Sequence, residues 1–154
     1  MMSRKRPSHA PSVHTSSSAG PIQVGIDVVS VRDVARSLAR FGDRYVRRVF
    51  TAKEAAYCRA AVGRVAAARF AVRFAAKEAV LKALRPEAPS GNWRSIEVRR
   101  HASGSCDVVL HGKAAALAAR QGVETLSLSM SHHAGHATAV VVAQVAARTT
   151  HQEF

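Results

Sequence analysis

Two acids in this chain sit where acids are costly or conspicuous. Asp27 interrupts the apolar run Val24-Gly25-Ile26-Asp27-Val28-Val29. Glu78 stands among evenly spaced cations in Arg69-Phe70-Ala71-Val72-Arg73-Phe74-Ala75-Ala76-Lys77-Glu78-Ala79-Val80-Leu81-Lys82-Ala83-Leu84. A carboxylate in a Val/Ile strand needs a cationic or metal partner. Two carboxylates with few other ligands suit Mg²⁺, which keeps waters and uses substrate phosphates to complete its octahedron. Lys82, Arg73 and Lys77 nearby could offset phosphate charge. Plainer readings stand beside this one. Glu78 and Lys82 could form an ordinary i,i+4 ion pair worth about 0.3–0.5 kcal/mol, and Asp27 could pair with an arginine.

Other chemistry is less well supported. Ser129-Met130-Ser131-His132-His133 ends a strand, so its side chains could reach a site at the sheet edge. The paired histidines suggest zinc, but no cysteine or further histidine lies at zinc-ligand spacing. Ser131 and His132 make a poor nucleophile–base pair, because adjacent strand residues point to opposite faces. The phosphate-binding pattern Gly-x-x-x-x-Gly-Lys is absent.

The elements that must position these residues follow from periodicity. Ile22 to Val31 reads as a strand, and Val31 to Leu38 as a helix broken at Gly42-Asp43. Arg44 to Val49 is a short basic element. Thr51 and Glu54 form a capping box that opens a helix to about Ala61, with Gly63 as its stop. Val65 to Leu84 is a long, alanine-rich helix. On it Arg69, Arg73 and Lys77 form one stripe, Glu78 lies about 100° around from Lys77, and Lys82 is one turn beyond Glu78. Pro86, Pro89 and Gly91 mark the loop that follows. Ile96 to Arg100 and Cys106 to Leu110 make a hairpin, and Lys113 to Gln121 a helix stopped by Gly122. Glu124 to Ser131 alternates as a half-buried strand, His132 to Gly135 turns, and Ala137 to Val145 is an apolar strand. The order β-ααα-ββ-α-ββ implies an α+β fold, a mainly antiparallel sheet packed against a long central helix and shorter helices.

The 154 residues suffice for one domain with a core, and 47% hydrophobic content makes it globular. Residues 1–20, with Arg4, Lys5 and Arg6, read as a basic disordered tail, 21–147 as the domain, and 148–154 as a flexible end. The net charge of +13 predicts an anionic partner. Cys58 and Cys106 form no framework, which favours free thiols in a cytoplasmic protein. No apolar run approaches the roughly 20 residues of a membrane span, and no apolar segment follows the N-terminal charges to make a secretory signal.

From about Ile22 to Ala146 the chain resembles holo-acyl-carrier-protein synthase, the short, single-domain class of 4′-phosphopantetheinyl transferase. Four motifs in order carry the resemblance. They are Gly25-Ile26-Asp27-Val28-Val29, Arg47-Arg48-Val49-Phe50-Thr51-x-x-Glu54, Arg73-Phe74-Ala75-Ala76-Lys77-Glu78-Ala79-x-x-Lys82-Ala83, and Leu128-Ser129-Met130-Ser131-His132. Three departures stand out. Arg85-Pro86-Glu87-Ala88-Pro89-Ser90-Gly91 replaces the Gly-Thr-Gly that usually follows the third motif. His133 follows the last motif's His in place of an acid or Thr. Asp33 stands where the family's first helix often has Arg.

The resemblance implies the 4′-phosphopantetheinyl transferase fold and transfer of 4′-phosphopantetheine from coenzyme A to a serine of an apo acyl carrier protein. By the same matching Asp27 and Glu78 ligate Mg²⁺ with the coenzyme A diphosphate. Lys82 contacts that diphosphate, with Asp27, Glu78 and Lys82 as the catalytic set; on chemical grounds Glu78, directly or through a metal-bound water, is the candidate acceptor of the serine's proton. Arg73, Lys77, Ser131 and His132 fall to coenzyme binding. The family is typically trimeric, with sites between subunits. Carrier proteins are acidic, which gives Arg32, Arg36, Arg40, Arg44, Arg47 and Arg48 a purpose as a docking surface. Two rivals remain. A basic nucleic-acid-binding protein explains the charge but not the two acids, and at 5% aromatic residues it lacks stacking groups. A weakened homologue acting as a carrier-binding scaffold is the other, motivated by the loop at 85–91.

Overall fold

The computed structural model describes residues 20–88 and 91–147. The tail and C-terminal end expected at 1–20 and 148–154 fall outside them, Gly20 excepted, as does Pro89. The chain runs β1 (Ile22–Ser30), α1 (Val31–Val49), α2 (Ala52–Arg59), α3 (Gly63–Leu84), a short 3-10 turn (Trp93–Ser95), β2 (Ile96–Arg100), β3 (Cys106–Leu110), α4 (Gly112–Arg120), β4 (Val123–His133) and β5 (His136–Val145). The fold is α+β with every strand pairing antiparallel. The strands form two sheets rather than one: β1-β5-β4, and the separate hairpin β2-β3.

Local chemistry explains most boundaries. Gly42, at φ +49 and ψ −131, breaks the helical path where expected, so α1 is two helical segments joined at a kink, the second carrying the basic stretch Arg44 to Val49. Thr51 and Glu54 make the expected reciprocal cap. Gly63 opens α3 instead of closing α2. The β4–β5 turn is tighter than expected. Both strands reach it, leaving only Ala134 (φ +48) and Gly135 (φ +82), the doubly left-handed geometry that suits a two-residue hairpin. At the end of α3, Arg85 adopts φ +46 and its N–H returns to Leu81 O at 2.8 Å. This left-handed cap ordinarily favours glycine, and here Arg85 occupies it.

α3 is the hub. Its Ala75, Ala76, Ala79 and Ala83 are fully buried against a layer that includes Ala139, Val141 and Ala143 of β5. Small residues on both sides let helix and sheet backbones approach closely. Lys77 lies on the same helix and is also fully buried. Its ammonium donates to Glu54 Oε2 at 2.8 Å, to Trp93 O at 3.0 Å and to Ile96 O. Phe50 lies 5.7 Å beneath it. Glu54 also accepts from Thr51 N at 2.8 Å and, through its other oxygen, from Val98 N at 2.9 Å. Burial pushes the Lys77 amine below the ordinary lysine range, and the Glu54 carboxylate opposes that push. The pair fastens α2, α3, the 3-10 turn and β2 together.

Removing one member of such a pair strands the other charge. Lys77→Met should therefore cost about 3–5 kcal/mol in denaturant unfolding. Adding Glu54→Gln should restore part of that loss. A Lys77→Met loss below about 1 kcal/mol, the ordinary size for a point change, would show that the pair does not hold these elements together.

Candidate active site

Asp27 reaches its position because β1 and α3 nearly touch. A Cβ at Gly25 would lie 1.9 Å from Ala79 O and 2.7 Å from Ala83 N. Asp27, two residues on and therefore on the same face of the strand, meets α3 at Lys82. The Lys82 ammonium donates to Asp27 Oδ1 at 2.7 Å and to Ile26 O at 3.0 Å. The carboxylate is mostly enclosed, its side chain 15% exposed, while Lys82 is 54% exposed and open to solvent.

Glu78 sits one turn before Lys82 on α3, about 6 Å along the axis. Among the described residues it makes no ion pair with Lys82; its Oε1 instead accepts from the Trp93 indole Nε1. The plain i,i+4 pair therefore does not form, and Asp27 finds a lysine rather than an arginine. Each carboxylate uses one oxygen in these contacts. Hard oxygen donors from two elements are the chemistry that suits a cation completed by phosphate and water. They do not make a closed structural site: among the described residues no three of His, Cys, Asp and Glu cluster for a metal.

The other expected ligands separate. Lys77 faces inward with its hydrogens committed, so it is a structural cation and not a coenzyme ligand. The reason is geometric: the Arg69, Arg73 and Lys77 stripe runs progressively into the core. Arg69 and Arg73 both stack on Tyr57, with guanidinium carbons 4.4 and 4.3 Å from the ring centre. Arg73 is 3% exposed, and its buried Nε has no acceptor among the described residues. Ser131 pairs across from Thr138, on the opposite face of β4 from His132, so the structure does not bring it to Asp27.

His132 lines a cleft of about 820 Å³ with Arg32, Ala35, Arg64 and Gly135. Across the sheet, Asp27 pairs with Ala139, Ala139 with Met130, and His132 lies two residues further along β4. With strands about 4.8 Å apart, His132 is roughly 10 Å or more from Asp27. A second cleft of about 570 Å³, between the end of α3 and α4, is lined by none of the expected site residues.

The α1 arginines are all exposed. Arg36 pairs with Asp33 at 3.5 Å and Arg47 with Asp43 at 3.9 Å, while Asp43 also meets Arg59. Arg40 lies over the exposed Phe41 ring at 5.0 Å. Arg32, Arg40, Arg44 and Arg48 have no ion pair among the described residues. Trp93 and Arg64 were not singled out from sequence. Trp93 is the chain's one tryptophan and follows a Pro/Gly loop, and that was the available signal.

Comparison with known proteins places the arrangement in context. Residues 23–141 match the model of the 4′-phosphopantetheinyl transferase superfamily. The chain is 43% identical over 119 residues to a holo-[acyl-carrier-protein] synthase of Koribacter versatilis, covering 77% of this chain and 94% of that one. It is 39% identical over 123 residues to one from Moorella thermoacetica, covering 80% and 94%. Among solved structures, an ACPS–CoA complex from Chronobacterium ammoniagenes superposes with a TM-score of 0.72 at 30% identity, covering 81% of this chain and 98% of that one. A Helicobacter pylori holo-[acyl-carrier-protein] synthase in complex with coenzyme A gives 0.65 at 28% identity, covering 78% and 98%.

The β1–α3 contact has a direct test. Gly25→Ala places a methyl against helix backbone, which cannot rotate away. It should cost more than the 1–3 kcal/mol usual for overpacking, at least about 3 kcal/mol in chemical unfolding. A variant as stable as the parent would mean that β1 and α3 are not in this contact.

Proposed function

The chain belongs to the 4′-phosphopantetheinyl transferase superfamily, and we propose that it transfers 4′-phosphopantetheine from coenzyme A to a serine of an apo acyl carrier protein. The observation that carries the reading at residue level is Asp27 held by Lys82, with Glu78 one turn away on α3. In this reading residues 21–147 are the transferase unit. Free Cys58 and Cys106, the former buried with its thiol pushed up to about 11, suit a reducing cytoplasm.

Asp27 and Glu78 would hold Mg²⁺ against the coenzyme diphosphate. When bound, the cation polarises the diphosphate and offsets its charge. The chain's own residues do the rest. The carrier serine Oγ forms a bond to the phosphorus that bears pantetheine, and the phosphoanhydride bond breaks, releasing adenosine 3′,5′-bisphosphate. Glu78 takes the serine proton, directly or through a water. Lys82, open to solvent beside Asp27, offsets the charge that grows on the leaving phosphate. His132, with Arg32 and Arg64 around the larger cleft, would meet the nucleotide end, and the buried Nε of Arg73, without an acceptor among the described residues, is a further donor for it. Arg40, Arg44 and Arg48, without an ion pair among the described residues, would face an acidic carrier, with Arg32, Arg36 and Arg47 flanking them.

In the same reading the protein is a trimer with sites between subunits, and the sheet's outer face supports an assembly through it. Ile22, Val24, Ile26 and Val28 of β1 are 51–63% exposed. Val142 and Val140 of β5 pair beside Val24 and Ile26. An apolar strip on an edge strand is a surface that soluble monomers rarely leave open.

Two measurements bear on this. Intact-mass analysis should show an apo carrier protein gaining one phosphopantetheine with coenzyme A and Mg²⁺. Asp27→Ala and Glu78→Ala should reduce the rate by at least about 100-fold, as loss of a metal-site group does. No gain on any of several fatty-acid and polyketide carriers would refute the enzymatic reading, and salt-sensitive RNA binding in its place would favour the nucleic-acid rival. Light scattering should give three times the chain mass, falling to one for Ile26→Asp. A parent protein that is monomeric at micromolar concentration would refute the trimer.

A further inference from the structure

Trp93 lies outside the proposed chemistry, yet it touches the residue at its centre. Its indole Nε1 donates to Glu78 Oε1. An indole N–H is only a donor, so the direction of this bond is fixed. The ring is tilted against Phe74, one turn back on α3, with centres 6.1 Å apart. The Trp93 carbonyl accepts from Lys77 Nζ at 3.0 Å. One residue therefore holds two successive side chains of α3, one by its backbone and one by its ring. The turn that carries it is itself secured. Ser95 N and Ser95 Oγ both donate to Asn92 O, at 3.1 and 2.7 Å, and His111 N donates to Ser95 O at 2.7 Å.

We propose that Trp93 is a positioning residue for Glu78, fixing one carboxylate oxygen so that the other is presented to the metal–diphosphate ligand. The inference rests on the reading of Glu78 as a metal ligand. Asp27 is oriented by a cation, Lys82, whose charge would be free for phosphate if a metal ion took its place on the acid. Glu78 is oriented by a neutral donor. That donor sets the rotamer without cancelling the charge a divalent cation needs, which is the usual task of an outer hydrogen-bond partner at a metal site.

The single tryptophan makes the test direct. The folded enzyme should show one indole cross-peak in a ¹H–¹⁵N correlation spectrum. Glu78→Ala should move that peak upfield and speed its exchange with solvent, while Asp27→Ala should leave it in place. A peak indifferent to Glu78→Ala overturns the contact. Trp93→Phe keeps a ring against Phe74 but loses the donor. It should raise the Mg²⁺ concentration for half-maximal transfer by roughly 10- to 100-fold, with the thermal midpoint almost unchanged. A wild-type enzyme that ignores Mg²⁺ overturns the metal reading of Glu78. A wild-type enzyme that needs Mg²⁺, beside a folded Trp93→Phe variant that needs no more of it, overturns the role of Trp93. Should Trp93→Phe fail to fold, the Glu78→Ala spectrum, read on Trp93 itself, still decides.

Discussion

A charged lysine sealed inside the protein sets the terms for everything around it. The Lys77 ammonium is tolerable there because it meets a carboxylate, two carbonyls and an aromatic face. Those partners come from α2, from the 3-10 turn, from the start of β2 and from Phe50, so the charge can be satisfied only when all of them are assembled. It also fixes the rotation of α3 about its axis. With Lys77 inward, Glu78 must turn about 100° away, toward Trp93, and Lys82 must emerge one turn later, toward Asp27. A helix rotated by one residue would bury Glu78 and leave Lys77 in solvent.

The second constraint is the absence of a side chain. Gly25 lets β1 lie against the backbone of α3 at Ala79 and Ala83, and the alanines of α3 and β5 keep the whole layer thin. Asp27 is thereby brought to the helix near enough to engage Lys82 directly. The apolar core and the polar site are the same contact seen at successive residues of one strand.

Much of this could be read before the fold was known, and the failures are instructive. Asp27 in an apolar strand and Glu78 on a basic helix were visible as costly acids, and the Thr51–Glu54 cap formed as its pattern predicts. Yet the cap concealed a second task, since Glu54 is also the partner of Lys77, 23 residues away. Spacing put Lys77 in line with Arg69 and Arg73 but could not say that the line runs into the core. The arginines of α1 were legible as a stripe, whereas their partial neutralisation depended on Asp33 and Asp43 and on Arg59 from the next helix. Trp93 was hidden because its partner lies across a loop. The outer face of β1 was half visible: Ile22, Val24, Ile26 and Val28 alternate with Gln23, Gly25 and Asp27, so the apolar residues share the face turned away from α3.

Asp27 and Lys82 meet at a single strand–helix contact, and Glu78 stands one turn back on α3 beside Trp93. A double-mutant cycle on coenzyme A affinity, measured calorimetrically with Mg²⁺ present, reads that contact directly. If Asp27 and Glu78 share one cation, the losses from Asp27→Ala and Glu78→Ala will be non-additive, with a coupling of about 0.5–3 kcal/mol. Losses that add to within about 0.3 kcal/mol would mean that the two acids act separately, and would contradict a common metal site.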